Sequence, residues 1–356
     1  MTKITQLHVA RTLPAPARPA VQAIESLSLG IPVTLGVLAL VALAWDGLKD
    51  IVIGDFGLPM LRADVLSGFA LLVLMACVLA IGLRLIRRAR ADRLTRAEHR
   101  LLEEIDAGLR NGEFVPYFQP IYDLHEERVV AAEALVRWVD ATGRVRPPAD
   151  FIPLLEKTNR LTVLTRAMFD QVARSVADFD RAGLSIDVSV NISAQDFENI
   201  DVASEIETYC LIAGIAPNRV KVELTETHSL QRVDMARIAA AKLSARSIQL
   251  VLDDFGTGYA SMHVLDLLPF SQIKLDRSFI AGLLTDPTAR AIVKASRSLA
   301  FSLGLEVVAE GVEDAATVER LADMGIRLIQ GYYYGRAMPA GEFLAAAAPY
   351  RVQLAA

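Results

Sequence analysis

A closed α/β barrel behind a pair of membrane-length apolar helices is the architecture this sequence predicts. Three observations predict it. Two long uncharged runs occupy the first quarter of the chain. Short β-rich runs alternate with amphipathic stretches over the last two thirds. Nearly every β-rich run ends in a polar or charged residue.

Of the 356 residues, 53% are hydrophobic and 22% are charged, with a net charge of −5. That apolar content excludes disorder over most of the length. The charge balance excludes a strongly basic footprint, so no nucleic-acid polymer is expected as a partner. The two cysteines, Cys77 and Cys210, form neither a disulfide framework nor a paired zinc pattern. A reduced compartment is the simpler reading for the part that holds Cys210.

Residues 1–25 read as a cytoplasmic tail with Lys3, Arg11 and Arg18. Residues 26–86 read as a transmembrane hairpin. Its uncharged runs, Ser26 to Trp45 and Val65 to Leu83, are each long enough to cross a hydrocarbon layer of about 30 Å. A signal peptide cleaved near Ala42-Leu43-Ala44 is the rival, and the long segment before the apolar run argues against it. The loop between the runs is too short for a folded sensor domain. Arginines at 84, 87, 88, 90, 93, 96 and 100 follow the second run, which places the C-terminal mass in the cytoplasm. Residues 87–111 read as a basic linker helix, with apolar residues at 94, 101, 102, 105 and 109 on one face. That face either pairs two chains or lies against its own domain.

Residues 112–350 carry the barrel. Strands are predicted at 114–119, 129–138, 187–193, 219–226, 248–254, 272–276, 306–311 and 327–331, with amphipathic stretches such as 166–179, 201–213, 235–245 and 288–303 between them. Eight strands over this length match a TIM-like (β/α)8 barrel, whose active site forms at the C-terminal strand ends. Those ends carry Gln119, Glu133, Asn191, Glu223, Asp253 with Asp254, Lys274, Glu310 and Gln330.

Clustered carboxylates repel unless a cation neutralises them. An all-oxygen set favours a hard ion such as Mg²⁺ or Mn²⁺. The histidines at 7, 99, 125, 228 and 263 form no group that would favour zinc. The adjacent Asp253 and Asp254 can serve one ion or bridge two, and two ions polarise a phosphodiester and hold a hydroxide in line. Lys274 can orient that water or stabilise phosphate charge. Taken singly, each element has a structural reading: Glu133 with Arg137 as a salt bridge, the ELTE run as a helix cap, DDFGTGY as a glycine-rich loop. A magnesium-dependent lyase with carboxylates and a lysine on barrel strands is an alternative from chemistry alone. Asn191 and the DDFGTGY loop speak against it.

The segments QPIYD (119–123), EALVRW (133–138), FIPLLE (151–156), VNIS (190–193), ELTE (223–226), DDFGTGYASM (253–262), IKLDRSFI (273–280), VVAEGVED (307–314) and QGYYYGRAMP (330–339) resemble, in order and spacing, the EAL-domain family of cyclic di-GMP phosphodiesterases. The resemblance implies a barrel with one early antiparallel strand and hydrolysis of cyclic di-GMP to linear pGpG with Mg²⁺ or Mn²⁺, two ions in all. By motif position it implies that Glu133, Asn191, Glu223 and Asp253 hold one ion, and that Asp253, Asp254 and Glu310 hold the other. Lys274 matches the lysine that positions the attacking water, and Glu310 is the alternative base. Gln119, Arg137 and Gln330 match substrate-side positions. Glu226 matches the acid that holds the DDFGTGY loop, and Glu313 a supporting acid. Ala260-Ser261-Met262 departs from the common Ser-Ser-Leu in a loop that couples dimerisation to metal binding. The resemblance implies the cyclic dinucleotide and a second copy through the EAL domain as partners, and the two apolar runs add membrane lipid. The implied location is the bacterial inner membrane, multi-pass, with the catalytic domain in the cytoplasm. A catalytically silent receptor for cyclic di-GMP is the alternative function.

Overall fold

The computed structural model describes residues 94–225, 232–256 and 261–347, together with Gly82. Apart from Gly82, they belong to one compact unit, Leu94–Ala356. The first apolar run, the second except Gly82, the tail, the external loop and all but the end of the arginine run lie outside the described residues. Among the described residues, no helix is long and apolar enough to cross a membrane. This finding overturns the expected multi-pass inner-membrane location. The physical reason lies in how the described helices spend their apolar residues. The longest described helix, Leu161–Arg181, buries Leu164, Met168, Val172 and Val176 along one stripe. It turns Arg166, Arg174 and Arg181 to solvent. Such a stripe seats a helix on a protein core.

The chain enters through α1 (Arg96–Asn111), which opens with a capping box. Thr95 Oγ1 accepts from the Glu98 amide at 3.2 Å, and the Glu98 carboxylate accepts from the Thr95 amide at 2.6 Å. These bonds and Lys157 hold the Glu98 carboxyl down at about 2. α1 buries Leu102 and Ile105 against Phe114, Trp138 and Phe151. Of the two readings for this helix, the structure shows the one in which it lies against its own domain.

The barrel strands are β1 (Phe114–Asp123), β2 (Arg128–Val139), β4 (Asp187–Ile192), β5 (Val220–Thr225), β6 (Leu250–Phe255), β7 (Gln272–Leu275), β8 (Glu306–Ala309) and β9 (Leu328–Gln330). Two-residue strands, β3 (Val145–Arg146) and β10 (Met338–Pro339), pair at the margins. The order β1-β9-β8-β7-β6-β5-β4-β2 closes through the β1–β2 pairing. β1 runs antiparallel to both β2 and β9, and the other barrel neighbours are parallel. The eight-stranded closed barrel with one reversed strand is thus the architecture found.

The intervening helices are α2 (Ile152–Lys157), α3 (Leu161–Arg181), α4 (Ala194–Asn199), α5 (Val202–Ala213), α6 (Val233–Ala245), α7 (Ser261–Leu267), α8 (Arg277–Ala281), α9 (Pro287–Leu303), α10 (Ala315–Asp323) and α11 (Ala340–Ala347). Strand side chains alternate between faces, and here the two sets differ in chemistry. Val188, Val190, Val222, Leu224, Leu250, Leu252, Ile273 and Leu275 face the helices and join the main core. Phe118 meets Phe179 and Phe343 there at ring-centre distances of 5.1 and 5.8 Å. The alternate residues include Asn191, Glu223, Asp253 and Lys274, and they belong to the barrel interior. A small apolar plug of Ile121, Val308 and Leu328 lies among the other interior positions.

Cys210, on α5, is a fully buried free thiol, and burial pushes it up to about 11. In a Cys77→Ser background, native protein at pH 8 should resist iodoacetamide and become labelled only in denaturant. Native labelling at the rate of a free thiol would show that α5 does not seal this site.

Candidate active site

Lys274 is the fixed point. Its side chain is buried at the C-terminal end of β7 with an exposure of 0%. Nζ lies 2.8 Å from Glu133 Oε2, 2.9 Å from Glu223 Oε2, 3.4 Å from Asp253 Oδ1 and 2.5 Å from Glu310 Oε1. Those acids come from β2, β5, β6 and the turn after β8, and strand register brings them together. Gln119 stands opposite Glu133, Asn191 opposite Glu223, and Thr225 opposite Asp253.

Amide side chains complete the ring. Asn191 Nδ2 donates to Glu133 Oε1 at 2.7 Å, and Gln330 Nε2 donates to Glu133 Oε2 at 2.7 Å. Gln330 Nε2 also donates to Gln119 Oε1 at 3.2 Å, and Gln119 Nε2 donates to the Gly335 carbonyl at 3.3 Å. Gly331 lets Gln330 reach this place: a Cβ there would fall 2.1 Å from the Val312 carbonyl oxygen. Arg137 is half-buried and does not pair with Glu133. It donates to the Val136 carbonyl at 2.8 Å, and its guanidinium lies 5.9 Å from the Tyr117 ring centre.

Asp254 holds a left-handed backbone at φ +54°, a conformation that costs a non-glycine residue about 1 kcal/mol or more. Its amide donates to Asp253 Oδ1 at 2.9 Å. The backbone turn thus separates two adjacent carboxylates while keeping both at the rim. Glu313 is exposed and, among the described residues, has no hydrogen bond or ion pair with the cluster. Glu226 lies outside the described residues.

The electrostatics follow from five carboxylates facing one ammonium in a confined space. Burial opposes the charge on Lys274, but the surrounding acids outweigh it and hold the lysine charged well above its ordinary range. Burial also opposes the charge on Glu133, yet Lys274, Gln330 and Asn191 together hold that carboxyl below its usual value. The other acids go the opposite way. Burial, with Glu133 adding repulsion, pushes Glu223 well up. Burial raises Asp253. It carries Glu310 to about 8 and, with Asp253 beside it, Asp254 to about 6.

A divalent cation fits this donor set. Oxygens of Glu133, Glu223 and Asp253 come within 4.8 Å of one another, as do those of Asp253, Asp254 and Glu310. Glu223 Oε1 is buried with no hydrogen-bond partner, an orphaned acceptor of the kind that a cation satisfies. All the groups are oxygen donors, which selects a hard ion.

Beside the cluster, a cavity of about 270 Å³ opens between β2, β4 and α3. Leu135, Pro148, Ile152, Leu161 and Met168 supply apolar walls, and Glu156, Asn191 and Thr225 supply polar edges. Glu156 and Thr225 were not among the site residues expected from the sequence. Glu156 lies within the FIPLLE run, so proximity to a known motif was its only signal.

The EAL domain model matches residues 102–337. The chain belongs to the EAL domain family. Cyclic di-GMP phosphodiesterase RocR of Pseudomonas aeruginosa is 32% identical over 248 residues, 70% of this chain and 63% of that protein. Cyclic di-GMP phosphodiesterase PdeL of Escherichia coli is 32% identical over 247 residues, 68% of this chain and 67% of that protein. Other curated relatives are longer: the chain spans about a third of the signaling protein YkoW of Bacillus subtilis and of MucR of Pseudomonas aeruginosa. Among solved structures, the PaMucR phosphodiesterase in its c-di-GMP complex matches this EAL domain with a TM-score of 0.64 and 32% identity, covering 68% of this chain and 99% of that one.

Lys274→Met should leave the buried acids of this EAL domain without their internal cation. Removing one partner of a buried pair costs about 3–5 kcal/mol. Denaturant unfolding in EDTA should show a loss of that order, and millimolar Mn²⁺ should recover part of it. Unchanged stability in EDTA would contradict the central role of the ammonium.

Proposed function

We propose that this EAL domain hydrolyses one phosphodiester bond of cyclic di-GMP, giving linear pGpG. The observation that carries the proposal is the convergence of Glu133, Glu223, Asp253 and Glu310 on Lys274 beside the 270 Å³ cavity. The reading is also supported by relatives named as cyclic di-GMP phosphodiesterases.

In this reading Glu133, Asn191, Glu223 and Asp253 would hold one divalent ion, and Asp253, Asp254 and Glu310 would hold a second. When bound, such ions supply Lewis-acid polarisation of the phosphodiester and a more acidic water. The chain's own residues do the rest. Lys274 uses its three N–H groups to fix Glu133, Glu223 and Glu310 at one spacing, and its positive charge stabilises the negative charge that develops on the attacking water and the phosphate. Glu310 is more open than Glu133 or Glu223, with 18% of its side chain exposed, and takes the proton that water gives up. A bond forms from the water oxygen to phosphorus, the bond from phosphorus to the 3′-oxygen breaks, the leaving oxygen takes a proton from solvent, and Glu310 returns its own proton to solvent. Gln119, Arg137 and Gln330 orient the dinucleotide. The apolar walls of the cavity take the face of one base and exclude water.

The test is full-length protein with cyclic di-GMP and Mn²⁺ or Mg²⁺, with pGpG followed by chromatography. Product should appear, EDTA should stop it, and Glu133→Gln should lower kcat by about 10³-fold, the scale of losing one preorganised electrostatic group. Tight binding of the dinucleotide without product would identify a silent receptor instead. No binding would overturn both readings. The homodimer implied by the family resemblance is a separate part of the proposal. Sedimentation showing a fully active monomer would dispose of it.

A further inference from the structure

Asn191 has an incomplete hold on its place. The β2–β4 ladder ends at Ala134 opposite Val190, one residue short of it. Only β5 pairs alongside Asn191, and that ladder also ends one residue later, at Ile192 opposite Leu224. The Asn191 side chain nevertheless donates to Glu133 at 2.7 Å. Something beyond the sheet must fix the backbone that presents it.

The candidate is Asp196, a carboxylate outside the catalytic cluster with an exposure of only 2%. It accepts hydrogen bonds from the hydroxyls of Thr162 and Thr165, the latter at 2.8 Å, both in the first turns of α3. Its own amide donates to Ser193 Oγ at 3.0 Å, and Ser193 caps α4 two residues beyond Asn191. The far end of α4 is tied as well: Glu198, also buried, accepts from the Arg232 amide at 2.8 Å. Among the described residues no cation forms an ion pair with Asp196, although Arg166 of α3 feels its charge, and a buried carboxylate so placed is costly where an apolar residue would pack as well. The directional bonds to α3 give it a use. Thr165 and Leu161 from α3, and Ile192 and Ser193 from the end of β4, are walls of the same cavity.

We infer that Asp196 is a positioning residue: its clamp between α3 and α4 holds Asn191 at the spacing that divalent-cation binding requires. This inference rests on the metal-dependent reading of the same site. Titration calorimetry of MnCl₂ into the full chain measures it directly, without turnover. Asp196→Ala should weaken Mn²⁺ binding by about tenfold or more, the usual scale for a residue that orients a ligand. It should restore kcat at saturating Mn²⁺. Asp196→Asn keeps an acceptor for one threonine and offers an N–H to the other, and should bind Mn²⁺ within about threefold of wild type. Asp286→Ala, which removes the exposed cap of α9, serves as a control for lost stability alone. If Asp196→Ala does not fold, Thr165→Val removes a single arm of the clamp and should weaken Mn²⁺ binding measurably. Unchanged Mn²⁺ affinity in the folded variants, with only a lowered melting temperature as in Asp286→Ala, overturns the inference. A wild-type chain that binds Mn²⁺ but yields no pGpG refutes turnover and leaves this test decisive. One that binds no Mn²⁺ overturns both.

Discussion

The buried ammonium of Lys274 is the constraint around which the barrel mouth is organised. Four carboxylates from four strand ends lie within 3.4 Å of Nζ. None has another cation among the described residues at such range. Without the ammonium, the acids would repel one another in a space where water cannot screen them. With it, each acid is held at a distance set by a shared hydrogen-bonding centre. The strand register then matters chemically, because a one-residue slip of any strand would turn its acid into the helix layer.

The backbone around this centre has local features that follow from the same demand. Asp254 takes a left-handed conformation so that two consecutive acids need not fall on opposite faces, as they would in a regular strand. Gly331 closes against Val312, and the Val312 amide donates to the Gln330 carbonyl at 3.2 Å. That contact joins the chain after β8 to the chain after β9, and so fixes Glu310 and Gln330 relative to each other. The left-handed turn at Asp254 and the close approach at Gly331 both lie at the rim.

Much of this was legible in the sequence because the barrel has a simple code. Short β-rich runs between amphipathic stretches marked the strands, and a polar residue at each strand end marked the mouth. Gln119, Glu133, Asn191, Glu223, Asp253, Lys274, Glu310 and Gln330 were all chosen on that ground, and the structure brings them together. The sequence was silent where the cause is tertiary. Nothing local shows that Lys274 would sit among four acids rather than beside a phosphate, since spacing carries no information on closure. The direction of β1 came only from family resemblance. Arg137 was legible as a motif position, but not as a residue whose guanidinium donates to the Val136 carbonyl rather than bonding Glu133. Asp196 gave no signal, because its partners Thr162 and Thr165 lie some thirty residues upstream on another helix. The membrane location failed for a different reason: it was read from residues 26–86, whereas the helices that can be described are amphipathic.

Charge balance gives the last step. Glu133, Glu223, Asp253, Asp254 and Glu310 present five potential negative charges, and Lys274 answers one. Burial first, and repulsion from the neighbouring acids after it, presses Glu223, Glu310 and Asp254 toward keeping their protons. Cations relieve the same deficit without protons. Two dications together with Lys274 would balance the five acids, and Asn191 would add a neutral ligand without disturbing the balance. One dication would leave the cluster negative and hostile to a phosphodiester anion. A site of this composition therefore has an electrostatic reason to take up two ions before it takes up substrate.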